Sequence, residues 1–160
     1  AFSGTNLVVF GHSWTEDGIT NSVNAYWPKR VASAFGMTLY NFAVAGAGWG
    51  RSTSLIATQI TTAESNMTAE QKAKTTCVVA IAGINDILNS VSAADVEAGF
   101  INFNTEIARI FPNAQQIIVP FNWGFGGLTS SINIFIETEL HKFYGYLTFS
   151  VVLRKPTTEL

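Results

Sequence analysis

Cysteine is almost absent from this chain: 160 residues contain only Cys77. An intrachain disulfide is therefore excluded, and Cys77, inside the apolar run "TTCVVAIAG", reads as a buried structural thiol. Charge is also scarce. Charged residues make up 12% of the chain and hydrophobic residues 48%, which excludes a disordered polymer and favours a well-buried sheet. The nine Lys and Arg residues are scattered and the formal net charge is -2, so the concentrated basic face of a nucleic-acid binder is missing. No stretch approaches the roughly 20 apolar residues of a membrane span. The first residues lack the basic start and apolar stretch of a signal peptide, so a soluble protein of undecided compartment is expected. Histidine occurs only twice, as His12 and His141.

What is present is an alternation of apolar runs and helical patterns. "NLVVF" reads as a buried strand, and "WPKRVASAF" as a helix with Pro28 in its first turn and Gly36 just past its end. "MTLYNFAV" is a second strand, followed by the Gly-rich turn "AGAGWG". "STSLIATQITTAESN" forms a helix with Leu55, Ile56 and Ile60 on one face, and "TTCVVAIA" is a third strand. A helix then starts at Ser92, where "SAAD" is a variant of the capping box. Val96, Phe100, Phe103, Ile107 and Ile110 follow as one stripe until Pro112 and Asn113 stop it. "QQIIVPF" is a fourth strand. Near-continuous apolar strands are covered on both faces. The expectation is a single domain over residues 1–160, a three-layer α/β/α sandwich around a mainly parallel sheet with right-handed crossovers. Ligands bind such sheets beyond the carboxyl ends of the strands. The segments there are "GHSWTEDG", "AGAGWG", "GIND" and "NWGFGG".

Three of these segments carry what acyl transfer needs. Ser13 follows the first strand as a candidate nucleophile, and a serine hydroxyl needs a base to activate it. Attack on an ester builds charge on the carbonyl oxygen, so N–H donors must already be aimed there. A glycine in the second loop lets backbone N–H approach closely, and an asparagine in the third supplies a side-chain N–H. "GHSWTEDG" could also be read as a phosphate loop of a flavodoxin-like binder, but its tryptophan and acids oppose an anion. "AGAGWGRS" lacks the lysine and spacing of a nucleotide loop.

In this order the segments resemble the SGNH hydrolases, the GDSL-like esterases and lipases. "VFGHSWTEDG" is similar to the first family block and puts the nucleophile at Ser13. "NFAVAGAGWG" is similar to the second and puts the oxyanion glycine at Gly46, with Gly48 the alternative. "IAGINDI" is similar to the third, with Asn85 as the oxyanion asparagine and Asp86 a structural carboxylate of its turn. The similarity runs from about Asn6 to Pro120. It implies a sheet of about five strands and an esterase with no metal or organic cofactor. The oxyanion hole would be built from the Ser13 and Gly46 N–H groups and the Asn85 side chain. The substrate it implies is a small-molecule or carbohydrate ester, including carbohydrate O-acetyl groups. Trp14, Trp49 and Trp123 fall in loops that would rim the site, either to stack on a sugar or to close the sheet end.

The chain departs from the family in two places. His12 stands where the family has Asp, and reads as a turn-stabilising or rim histidine rather than the base. The closing Asp-x-x-His block is missing: no Asp follows Asp95, and the only downstream histidine, His141, has Thr138 three residues before it and Glu137 four before. His141 is the candidate base. From about residue 125 the pattern is atypical, which leaves two readings: a shortened or frame-altered end, and a divergent member without its base. The second reading implies a catalytically impaired module that binds carbohydrate or a protein partner. Exposed strand edges would then favour a homodimer or a swapped segment.

Overall fold

The computed structural model describes residues 2–16, 27–51, 53, 55–120 and 152–154. Strand β1 (Asn6–Gly11) is buried at all six positions. Its side chains alternate between two apolar clusters. Val8 and Phe10 face one, and Leu7 and Val9 the other. Burial on both faces explains why the strand is continuously apolar. Parallel pairing then adds β2 (Thr38–Asn41) on one side and β3 (Thr75–Ala82) on the other. Beyond β3 come β4 (Gln115–Pro120), parallel, and β5 (Val152–Arg154), antiparallel. Among the described residues the sheet has five strands in the order β2-β1-β3-β4-β5.

Helices cover both faces. Helix α1 (Trp27–Phe35) packs Ala32 and Val31 against Leu7, Val9, Cys77 and Val79. On the opposite face lie α2 (Ile56–Asn66) and α5 (Ala93–Ile110), which bring Ile56, Ile60 and Ala63 together with Phe100, Phe103 and Ile107. Each such fully buried aliphatic or aromatic side chain stabilises the fold by about 1.5–3 kcal/mol relative to exposure. The expected α/β/α layering and mainly parallel sheet are what the structure has.

Local signals held at several termini. Ser92 Oγ accepts from the Asp95 amide at 3.2 Å and donates to the Asp95 carboxylate at 2.6 Å. Gly36 closes α1 at φ 65°, in the left-handed region. Three boundaries differ from the sequence expectation. Helix α2 begins at Ile56 rather than at the serine-threonine run, because Leu55 forms a parallel bridge to Gly48 and lies outside the helix. A short helix α3 (Ala69–Ala73) follows, with a complete Thr68/Gln71 capping box. "GIND" is not an open loop: its last residues begin α4 (Ile84–Leu88). No helix of the described residues is long and apolar enough to cross a membrane.

Candidate active site

The strand order reverses between β1 and β3: the chain runs to β2 on one side of β1 and to β4 on the far side of β3. Such a switch point opens a crevice beyond the carboxyl ends of the two strands. Gly11 and Ile81 are register partners at those ends. Ser13 lies two residues beyond Gly11, and Asn85 four beyond Ile81.

Gly11 cannot be another residue here. Its φ is 152°, and a Cβ would stand 2.6 Å from the Ile81 carbonyl oxygen. The chain then turns tightly, with the His12 carbonyl accepting from the Thr15 and Glu16 amides at 2.8 and 3.1 Å. Ser13 is half-buried on this turn. His12 points inward and is 1% exposed; its Nδ1 accepts from the Trp14 amide at 3.4 Å. Burial pushes its pKa down, so the imidazole is neutral at neutral pH. Of the two roles expected for His12, the geometry shows the turn-stabilising one and not the rim.

The second loop is tied to the first. Val44 N–H donates to the Gly11 carbonyl at 3.0 Å, and Ala45 N–H to the Glu16 carboxylate at 3.0 Å. Asn41 Nδ2 donates to the Thr15 carbonyl at 2.7 Å while its Oδ1 accepts from the Ala43 amide at 3.0 Å. Gly46 adopts φ 78°, which only glycine takes without strain, and its carbonyl accepts from Arg51.

The third segment holds the second. Asn85 Nδ2 donates to the Ala47 carbonyl at 2.9 Å. Asp86, 2% exposed, accepts from the Trp49 and Gly50 amides at 2.8 and 2.9 Å. Burial raises its pKa and these backbone donors oppose the rise. The carboxylate therefore serves the neighbouring loop, not only its own turn as expected. Gly48 has its own structural reason: a Cβ there would stand 2.5 Å from the Asp86 carboxylate.

The tryptophans divide. Trp14 is 48% exposed beside Ser13, as a rim residue would be. Trp49 is a correction: it is 4% exposed and packs edge-on against Phe100 and Phe103, with ring centroids 5.3 Å away in each case. Its ring belongs to the core, because the Asp86 anchor draws its backbone inward. Trp123 and His141 lie outside the described residues. One residue near the site escaped the sequence reading. Gln59 of α2, 3% exposed, accepts from Gly11 N–H at 2.9 Å and donates to Gly11 C=O at 2.8 Å. The "LIATQI" pattern holds no local signal for it beyond placing it one residue before Ile60.

No family model matches the sequence, and no curated protein does. Solved structures do. A protein of the lipolytic G-D-S-L family from Desulfitobacterium hafniense superposes with a TM-score of 0.62 at 16% identity, over 86% of this chain and 71% of its own. An acetylxylan esterase from Geobacillus stearothermophilus gives 0.57 at 15% identity, over 87% and 71%. A family two carbohydrate esterase from Clostridium thermocellum gives 0.62 at 17%, over 88% of this chain and 50% of its own. The chain thus has the fold of the SGNH hydrolases.

Proposed function

We propose that the protein is a serine ester hydrolase whose nucleophile is Ser13. The observation that carries this reading is the hydrogen-bonded joining of three strand-end segments around one switch point, with Ser13 on the first, Gly46 on the second and Asn85 on the third. Ser13 Oγ attacks the acyl carbonyl and its proton passes to a base. The tetrahedral oxyanion then takes N–H bonds from the Ser13 and Gly46 amides and from Asn85. An amide nitrogen carries two N–H groups. The one on the Ala47 carbonyl holds the Asn85 plane, and the other is the donor assigned to the oxyanion. Collapse expels the alcohol and leaves an acyl-serine, which water cleaves to the acid. His141 is the base we assign from the sequence, with Glu137, four residues before it, as its partner. The substrate class we assign is an acetyl ester on a carbohydrate, supported by exposed Trp14 and by the acetylxylan esterases among the similar structures.

The test is hydrolysis of 4-nitrophenyl acetate by the unaltered protein, Ser13→Ala and Asn85→Ala. Removing the nucleophile is expected to lower kcat by at least about 1,000-fold. Removing one oxyanion donor is expected to lower it by about 100- to 1,000-fold. Equal rates for the unaltered protein and Ser13→Ala would end the esterase reading. That result would favour the second reading, a module that binds carbohydrate or protein without turnover, which the absent Asp-x-x-His block supports.

A further inference from the structure

We infer that Gln59 is a positioning residue for the Ser13 turn, a role that rests on the esterase reading above. Register pairing between β1 and β2 ends at Val9 with Asn41. Beyond it, Gly11 still presents a backbone N–H and C=O inside the protein, and both must find partners. The C=O receives the Val44 amide at 3.0 Å. The Gln59 carboxamide takes the N–H at 2.9 Å and adds a second donor to the C=O at 2.8 Å. A primary amide is matched to this task because it carries a donor and an acceptor on one rigid plane. Both groups of one residue are therefore clasped by one side chain.

The clasp sits where the nucleophile's direction is decided. Gly11 has no side chain to brace it and sits at a φ of 152° that other residues rarely adopt. On the side away from its β3 partner Ile81, its backbone is held by the Gln59 and Val44 hydrogen bonds. His12, Ser13 and Trp14 hang from it in a turn closed on the His12 carbonyl. Rotation of the Gly11 peptide would swing Ser13 away from the Gly46 and Asn85 segments. The clasp also crosses the fold: it ties the end of β1 to α2, whose own anchors are Ile56 and Ile60 in the core. Gln59 touches no substrate in this scheme and acts through Gly11.

Two substitutions test the role. Gln59→Met keeps a flexible side chain of similar reach and removes both polar contacts. Gln59→Glu keeps the acceptor for Gly11 N–H and removes the donor to Gly11 C=O. Each is compared with the unaltered protein at a temperature where circular dichroism shows it folded. With 4-nitrophenyl acetate, kcat is expected to fall by about tenfold or more while KM stays within about twofold, because the nucleophile is misdirected and the binding surface is intact. The rate of Ser13 modification by a 4-nitrophenyl phosphonate is expected to fall in parallel. Amide hydrogen exchange supplies a readout that needs no turnover. Exchange at residues 12–16 is expected to accelerate at least about tenfold in both variants, with β3 amides unchanged. If the unaltered protein shows no turnover dependent on Ser13, the esterase reading fails and exchange alone decides the clasp. Exchange at 12–16 unchanged in folded Gln59→Met, or kcat and phosphonylation unchanged in an active protein, overturns the role of Gln59.

Discussion

His12 shows how one buried side chain writes a pH dependence into the molecule. Burial lowers its pKa from the ordinary 6.5, so the unfolded chain takes up a proton before the folded one does. The stability held by neutral His12 is complete above that ordinary value and is lost as pH falls below it. Unfolding free energy from urea titrations should therefore decline as pH falls below the ordinary histidine value of 6.5, by up to about 1.4 kcal/mol per pH unit for one proton. His12→Gln should flatten the decline, and equal slopes for the two proteins would refute the assignment. Asp86 has the opposite sign. Its pKa is raised above the ordinary 3.8, so stability is lost as pH rises through the window above that value, and the comparison of the two proteins subtracts it. At this scale the sequence picks out Ser13, Gly46 and Asn85 as candidates because each is a residue type that acyl transfer requires, at a strand end, and the structure joins their three segments by hydrogen bonds. Gln59 was not picked out, since a glutamine in a helical pattern reads as a solvated face. Trp49 was misread as a rim residue because a strand-end loop is normally exposed, and its inward turn depends on an acid 37 positions away.

Helix α5 shows packing overruling propensity at the scale of an element. Gly99 sits in its middle, where glycine costs about 1 kcal/mol relative to alanine. Propensity alone would make Gly99→Ala stabilising. A Cβ there, however, would stand 2.0 Å from the Trp49 carbonyl oxygen and 2.6 Å from its carbon, and backbone cannot step aside as a side-chain tip can. Forcing extra atoms into such a contact costs about 1–3 kcal/mol or more. The expected outcome is a net loss, read as a Tm lowered by at least about 2–4 °C for a domain of this size. A higher Tm would show that α5 and the Trp49 loop separate freely. The α5 stripe and the Ser92 cap were legible because periodicity and capping are local. Helix α3 was equally local, written in Thr68-x-x-Gln71, and was missed because the segment lacks an apolar stripe: none of its residues is buried.

At the scale of the whole molecule, the described sheet is centred on β3, paired with β1 on one side and β4 on the other. Cys77 lies in that strand opposite Leu7 and Gln115, and burial pushes its thiol up to about 11. As the only cysteine of the chain it is a reporter of the sheet's integrity. At pH 8 about one thiol in a thousand would be ionised, and the thiolate is the reactive form. Labelling by a disulfide reagent should therefore be slow in the folded protein. It should accelerate with urea in step with loss of the far-ultraviolet dichroism. Fast labelling well below the unfolding transition would mean that the sheet opens locally at β3.

The sequence by itself determined the alternation of strands and helices, the double-sided burial of the sheet and the sites where chemistry-bearing residues leave it. Those features follow from periodicities and turn chemistry that act within a few residues. Tertiary structure alone decided the antiparallel β5, the burial of Trp49, the reach of Asp86 into the loop before it and the clasp of Gln59 on Gly11. Each is a pairing between groups far apart in the chain, 48 residues for Gln59 and Gly11, and buried polar atoms find such partners only once packing has brought them within hydrogen-bond distance.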